Sequence, residues 1–130
     1  MNVLVDSDIL IEVFRGRDAA LVDAWRELQS PSHALLCSPV SICELWHGVR
    51  PAEQNALEAL FAALICVPVN AEIGRRAGDY LKRYSKSHSV EIADGLIAAT
   101  AAVHGAALWT RNRKHYPMRD FDFYYQPDLR

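Results

Sequence analysis

Short apolar runs alternate with longer helical patterns along most of this chain. The runs at residues 3–5, 34–37, 65–69 and 106–109 predict buried strands. Helices are predicted to follow them, the first ending near Gly16 and the others at residues 19–28, 39–48, 53–64, 71–85 and 92–104. Strands that alternate with helices are typical of an α/β domain with a parallel sheet. We therefore expect one α/β domain over residues 1–130, with a further edge strand at residues 121–123.

The ends of two predicted helices are marked by their residue types. Ser38 followed by Pro39 matches an N-cap residue followed by proline at the first helical position. Gly105 follows a helical pattern at the position where helices often end in a left-handed residue. These two boundaries are therefore the most specific in the predicted secondary structure.

Composition limits the class of protein. The 130 residues are 51% hydrophobic and 23% charged, which is typical of one globular domain. Cys37, Cys43 and Cys66 form no CxxC pair and lie in apolar stretches, so we predict reduced core cysteines and no zinc site. No apolar run reaches the ~18 residues of a membrane span, and no basic leader precedes Asp6. We expect a cytoplasmic protein that does not bind membranes.

The net charge of −2 weighs against nucleic-acid binding, which needs local lysine and arginine. Two basic clusters weaken this argument against nucleic-acid binding, because a local patch can bind phosphate on a mildly acidic protein. One follows the fourth predicted strand and contains Arg111, Arg113, Lys114, His115 and Arg119. The other, between residues 75 and 86, is interpreted as the solvated face of a helix.

Acidic residues lie at or beside the ends of the predicted strands. Asp6 and Asp8 follow the first run, Glu44 lies in the helix after the second, and Asp94 begins the helix before the fourth. Sites in parallel α/β domains form beyond the carboxyl ends of the strands, so we expect these acids to converge. Carboxylates with apolar neighbours are costly to ionise together. A hard divalent cation such as Mg²⁺ or Mn²⁺ would relieve that cost.

Four segments also match, in order, the motifs of a known family. They are VDSDIL at residues 5–10, SICELWHG at 41–48, DGLIAATA at 94–101 and TRNRKHY at 110–116. Together they resemble the four motifs of PIN-domain proteins, and the last is similar to the matching segment of VapC-type toxins. The resemblance implies a PIN-like three-layer α/β/α domain around a central parallel sheet of four to five strands.

The resemblance also implies a function. PIN nucleases of this type are Mg²⁺- or Mn²⁺-dependent endoribonucleases that hydrolyse RNA phosphodiester bonds with an activated water. Asp6, Glu44 and Asp94 would be the catalytic and metal-binding acids.

Neighbouring residues receive supporting roles from the same resemblance. Ser7 and Thr110 would donate hydrogen bonds to the acids, and Asp8 would reach the metal through water or orient Ser7. Many PIN nucleases have a fourth acid after the fourth strand, and Asn112 stands in its place here. We count Asn112 as a catalytic candidate, although a neutral ligand weakens a second metal site.

The expected partners come from the resemblance as well. It implies an RNA substrate, contacted through Arg111, Arg113 and Lys114. It further implies a small cognate antitoxin, a homodimer, and contact with DNA only through the antitoxin. Such a toxin would be a bacterial cytoplasmic protein.

Three other functions compete with this interpretation. An Asp-nucleophile phosphatase of the haloacid-dehalogenase type would use Asp6, but Ile9-Leu10 stands where those enzymes have Gly-Thr. A response-regulator receiver needs an Asp at the end of the third strand, and none follows Val67. A catalytically impaired PIN-fold binding module remains, and Asn112 is the feature that favours it.

Several residues also have plain structural interpretations. Asp6 could be a cap on the helix that follows the first strand, Asp8 is favoured as an N-cap, and Asp94 could simply complement a helix dipole. The tryptophans are predicted to be core, and one apolar helix face is predicted to face the core rather than a partner; these residues are Trp25, Trp46, Trp109, Leu57, Leu60, Phe61 and Leu64.

Overall fold

The sheet of the domain has four parallel strands in a computed structural model that describes residues 1–125. They are β1 (Asn2–Val5), β2 (Ala34–Cys37), β3 (Ile65–Cys66) and β4 (Ala107–Trp109), in the order β3-β2-β1-β4. Because β1 lies between β2 and β4, its carboxyl end is at the centre of the sheet edge. The residues after β1 are therefore placed beside those that follow β4.

Within residues 1–125, six helices connect and flank the strands. They are α1 (Ser7–Arg15), α2 (Ala19–Glu27), α3 (Pro39–Gly48), α4 (Gln54–Ala62), α5 (Ala71–His88) and α6 (Ile92–His104). Short 3-10 turns occupy Pro51–Glu53 and Arg113–His115. Ser38 caps α3 by accepting a hydrogen bond from the Val40 N–H, and Gly105 ends α6 with a φ of 58°. Both predicted boundaries are thus confirmed.

Two hydrophobic clusters cover opposite faces of the sheet. Side chains alternate along a strand, so Leu4, Leu36 and Leu108 pack with α5 and α6, whereas Val5 and Trp109 pack with α1 to α4. The predicted three-layer α/β/α architecture is confirmed.

Strand β3 is shorter than the run from residue 65 to residue 69 predicts. The Val67 N–H still donates to the Cys37 carbonyl oxygen, at 2.9 Å. The next bond of the ladder would need an N–H at residue 39, which is Pro39 at the start of α3. The further strand predicted at residues 121–123 is a single parallel bridge between Leu108 and Phe123. None of the described helices is both long and apolar enough to cross a membrane.

Three core predictions were wrong. The three cysteines are free, and Cys37 is buried as predicted, but Cys43 and Cys66 are exposed. Trp46 is 40% exposed, whereas Trp25 and Trp109 are core residues. Cys43 and Trp46 are exposed because of the geometry of α3, in which Ser41 and Leu45 face inward one turn apart. Cys43 and Trp46 lie at other angles around that helix.

The apolar face of α4 is mostly core, as predicted. Leu57 and Leu64 are buried, and Leu60 and Phe61 are half-buried against the same cluster. The basic side chains of α5, by contrast, point to solvent at Arg75, Lys82, Arg83 and Lys86.

Candidate active site

Asp6, Glu44 and Asp94 form what we call the acidic edge of the domain. Asp6 is the most deeply buried of the three. It follows β1, caps α1 and is 6% exposed. Its Oδ1 accepts from the Ser7 N–H at 2.8 Å. Its Oδ2 accepts from Thr110 Oγ1 at 2.8 Å and from Tyr116 Oη at 3.0 Å. Asp6 is therefore held by three donors, two of them from the segment after β4.

Burial raises the pKa of Asp6 above its ordinary value, against the lowering effect of those donors. The negative charge of Asp94 raises the pKa of Asp6 further. Two acids that are far apart in sequence are therefore close enough in the fold to repel each other.

Glu44 reaches the same edge from α3 through a chain of hydroxyl groups. Ser7 Oγ lies 2.8 Å from Glu44 Oε1 and 2.8 Å from Ser41 Oγ. Ser41 is fully buried one helical turn before Glu44, while Glu44 itself is exposed. A hydroxyl has one proton, so when Ser7 donates to Glu44 it accepts from Ser41. The two serines thereby orient an otherwise solvated carboxylate.

Asp94 combines a structural and an electrostatic role at the start of α6. Its Oδ2 accepts from the Glu91 N–H at 3.1 Å, as part of a capping box. The interpretation of Asp94 as a first-turn acid is therefore correct, and the same half-buried side chain also acts on Asp6.

Asp8 does not cap α1, and the prediction that it does was wrong, because Asp6 occupies the N-cap position. Asp8 instead accepts from the Ile9 N–H at 2.8 Å and from the Arg111 N–H at 3.0 Å. Burial, and then the charge of Asp6, raise the pKa of Asp8 to about 6. Asp8 therefore ties α1 to the loop after β4.

The basic residues after β4 differ in the contacts that their side chains make. The Arg111 guanidinium lies 3.6 Å from Glu12 Oε1, and the Arg113 guanidinium lies 4.8 Å from the centre of the Phe123 ring. Lys114 is exposed, and so is Asn112, whose N–H donates to Thr110 Oγ1 at 3.0 Å. Of these contacts, only that between Arg111 and Glu12 neutralises positive charge. The positive charges of Arg113 and Lys114 therefore remain beside the acids.

The acids fit a hard divalent cation in donor type and in charge. They supply carboxylate oxygens of the kind Mg²⁺ and Mn²⁺ prefer, and Asp6 is penalised by Asp94 in the absence of a counter-charge. Within residues 1–125, however, no three Asp, Glu, His or Cys side chains are gathered closely enough to hold one ion. Glu44 and Asp94 approach Asp6 without forming a finished coordination shell.

A model of the PIN domain family matches residues 3–122 of the chain. The chain belongs to the PIN-domain family. It is 42% identical over 117 residues to Ribonuclease VapC10 of Mycobacterium tuberculosis strain H37Rv, which covers 89% of this chain and 86% of that protein. It is 40% identical over 116 residues to Ribonuclease VapC19 of the same strain, covering 88% and 92%. At this identity the chain belongs with the VapC proteins inside the family.

The same fold is found in solved structures at lower identity. A chain in the crystal structure of VapBC2 from Rickettsia felis, bound to a DNA fragment from their promoter, superimposes with a TM-score of 0.79. The match has 19% identity and covers 95% of this PIN domain and 98% of that chain. It supports the fold alone.

Two polar residues of this PIN domain were missed by sequence reasoning. Tyr116 and Ser41 lie inside segments that resemble family motifs, yet neither was given a role. The available signal for Tyr116 was its hydroxyl, because a buried tyrosine requires a hydrogen-bond partner. For Ser41 the signal was its position three residues before Glu44, on a neighbouring part of the same helix face.

A groove adjoins the acidic edge of the PIN domain. It has a volume of about 350 Å³ and runs between α1, α3 and the start of α4. Ile11, Phe14 and Leu57 give it an apolar floor, while Glu44 and Arg50 contribute charges.

Proposed function

We propose that this protein is a metal-dependent endoribonuclease and the toxin of a VapBC-type toxin–antitoxin pair. The observation that carries the proposal is the buried Asp6 carboxylate, which shares one polar edge with Glu44 and Asp94. The names of the relatives, which are ribonucleases, supply the reaction.

In this proposal Asp6, Glu44 and Asp94 hold Mg²⁺ or Mn²⁺. The ion supplies Lewis-acid chemistry, lowering the pKa of water and offsetting charge on a phosphate. Ser7 orients Glu44, and Thr110 holds Asp6. Asn112 lies two residues after Thr110, where its side-chain oxygen can accept a hydrogen bond from water. Arg111, Arg113 and Lys114 follow Thr110, whose hydroxyl holds Asp6, and attract the RNA backbone.

A second candidate is a binding module that has lost catalysis. Asn112 is the observation that favours it, because a neutral carboxamide replaces an acid at that position. The phosphatase alternative has no comparable support, because Ile9-Leu10 follows Asp8 where those enzymes have Gly-Thr.

Cleavage assays separate these candidates. Purified protein is incubated with tRNA, rRNA and mRNA, each with Mg²⁺, Mn²⁺ or EDTA. Asp6→Asn, Glu44→Gln and Asp94→Asn are tested beside Glu58→Gln, which changes an exposed acid on α4. We expect metal-dependent cleavage that is lost in the three site variants and kept in Glu58→Gln. No cleavage of any RNA by folded protein that binds Mn²⁺ would leave the binding module.

The antitoxin is proposed to dock in the groove beside Glu44. Solved structures of the same fold are complexes of VapB with VapC, including VapBC-1 from nontypeable Haemophilus influenzae. The groove offers an apolar floor with two acids, Glu44 and Glu53, and two arginines, Arg15 and Arg50, which fits an amphipathic segment carrying both charges. We also propose a homodimer that contacts DNA only through the antitoxin.

Co-expression with the protein encoded next to this one tests the docking surface. Leu57 is core, so the informative change is Arg50→Glu, which reverses an exposed charge on the groove. We expect weaker capture of the antitoxin by Arg50→Glu and unchanged capture by Arg83→Glu, which reverses a charge on α5. Equal capture by both variants would place the antitoxin elsewhere.

A further inference from the structure

The Tyr116 hydroxyl lies at the centre of the acidic edge. We propose that Tyr116 is a positioning residue that fixes the Asp6 carboxylate for the reaction. The inference rests on the proposed ribonuclease function and adds to it a residue outside the three acids and the hydroxyl groups of Ser7 and Thr110. The contact that carries it joins Tyr116 Oη to Asp6 Oδ2, at 3.0 Å.

The position of this hydroxyl is fixed by the packing of its ring. Tyr116 is 3% exposed and belongs to the cluster that α5 and α6 form with the sheet. A 3-10 turn at Arg113–His115 reverses the chain after Thr110, and the Tyr116 N–H donates to the Arg113 carbonyl oxygen at 2.9 Å. Backbone and ring are thus both held, and the hydroxyl reaches Asp6 with little freedom to move.

The Tyr116 hydroxyl is a neutral donor. The ordinary pKa of a tyrosine hydroxyl is about 10, so the group is protonated at pH 7. A carboxylate oxygen can only accept, so the hydroxyl is the donor in its contact with Asp6 Oδ2. It therefore holds Asp6 without adding charge to a site that already contains several acids.

The two oxygens of Asp6 are left in different states. Each carboxylate oxygen has about two acceptor positions. Oδ2 uses both, for Thr110 Oγ1 and Tyr116 Oη, while Oδ1 uses one, for the Ser7 N–H. Tyr116 thereby directs the remaining acceptor position of Asp6 onto Oδ1. A single oxygen with a fixed direction is what a metal ligand requires.

The test compares Tyr116→Phe with Tyr80→Phe. Tyr80 is also buried and its hydroxyl donates to Asp120 Oδ2 at 2.6 Å, away from the site. Both substitutions remove one hydroxyl that donates to a carboxylate and keep the ring. Partners that orient a metal ligand are typically worth about 10–100-fold in affinity or activity.

We expect Tyr116→Phe to lower kcat by about 10-fold or more with KM within about twofold, and to weaken Mn²⁺ binding by about 10-fold in calorimetry. Tyr80→Phe should keep the wild-type kcat and Mn²⁺ affinity. Adding Thr110→Val to Tyr116→Phe should cost more than the product of the single effects, because Oδ2 then has no donor left.

Other outcomes identify which claim fails. Wild-type kcat and Mn²⁺ affinity in Tyr116→Phe, with Asp6→Asn inactive, would overturn the positioning role and leave the ribonuclease proposal standing. Equal losses in Tyr116→Phe and Tyr80→Phe would reduce Tyr116 to a packing residue and overturn the inference. Full cleavage by Asp6→Asn would overturn the proposed site itself, and the inference with it.

Discussion

Asp6 and Glu44 share one edge of the sheet but are held in opposite ways. Asp6 is buried at the end of β1, and three donors fix both of its oxygens. Glu44 is exposed on α3 and is oriented through the hydroxyl of Ser7. The sheet therefore supplies one rigid carboxylate, and the helices supply adjustable ones. Under the proposed function, the adjustable carboxylates would close around an ion without movement of Asp6.

The largest expected effect is loss of activity without loss of stability at Asp6. Asp6→Asn should lower RNA cleavage at least about a thousandfold, because metal-assisted charge stabilisation is worth several kcal/mol. Burial raises the pKa of Asp6, so its ionised form disfavours the folded state at pH 7. The thermal midpoint of Asp6→Asn should equal or exceed that of the wild type.

Glu44→Gln tests the difference between Glu44 and Asp6. It should lose RNA cleavage while its thermal midpoint stays equal to that of the wild type.

Asp6→Ala serves as the control for lost hydrogen bonds at Asp6. It leaves three donors without an acceptor and should cost about 1–3 kcal/mol in the free energy of unfolding. A midpoint of Asp6→Asn several degrees below the wild type would mean that Asp6 stabilises the fold as an anion.

The next effect is a pH dependence of stability that originates at Asp8. Its pKa is raised from 3.8 to about 6 in the folded protein, so the folded state binds this proton more tightly than the unfolded chain. The contribution of Asp8 to the free energy of unfolding is most favourable below about pH 4. It declines as pH rises through about 6 and is constant above that. The change corresponds to about 3 kcal/mol.

Urea unfolding in EDTA between pH 4 and pH 7 measures this effect. The difference in unfolding free energy between the wild type and Asp8→Asn should shift in favour of the variant as pH rises. Asn keeps one oxygen acceptor but presents its amide nitrogen to either the Ile9 or the Arg111 N–H. That lost hydrogen bond gives an offset that does not depend on pH, so the change with pH isolates the charge. A difference that stays constant across the range would contradict the prediction.

A smaller effect is expected at the buried serine beneath Glu44. Ser41→Ala removes the 2.8 Å contact with Ser7 Oγ and should lower the unfolding free energy by about 1 kcal/mol. Ser85→Ala, on the exposed face of α5, should stay within about 0.5 kcal/mol. Equal stability of the two variants would show that the pair of serines serves orientation alone.

The smallest effects should separate Lys114 from Arg113. Lys114→Ala should reduce the salt dependence of RNA binding by about one phosphate contact and leave stability unchanged. Arg113→Ala should also lose the contact with the Phe123 ring, at a cost of about 0.5–1 kcal/mol. Titrations at several salt concentrations and urea unfolding distinguish the two. Identical results would mean that the Phe123 contact adds nothing.

The fold was largely predictable because its signals are local. Ser38-Pro39 and Gly105 marked helix ends that the structure reproduces, and the alternating runs gave the parallel sheet. Prediction failed where neighbours in space decide. The β2–β3 ladder stops because the neighbouring strand has already turned into α3 at Pro39, which has no N–H for the Val67 carbonyl oxygen, and Trp46 is exposed because of the direction in which α3 packs.

The site was predictable in residue type but not in arrangement. Asp6 and Asp8 both have the chemistry of an N-cap, and only the β1 register decides between them. The contact from Tyr116 to Asp6 spans 110 residues and depends on the turn at residues 113–115. The hydrophobic periodicity of the sequence does not predict such a contact. The tyrosine inside the fourth motif did indicate that its hydroxyl would need a hydrogen-bond partner if buried.

The segment that carries Tyr116 also affects how the molecule meets other chains. Beyond Tyr116 it runs along β4, where Leu108 donates to the Asp122 carbonyl oxygen and accepts from the Tyr124 N–H. At the opposite border, β3 has two residues and Pro68 soon follows. Exposed strand borders are where sheets recruit foreign strands and begin to aggregate. Over residues 1–125 one border is covered and the other is too short to act as a template, so neither border favours edge-to-edge aggregation of the folded domain.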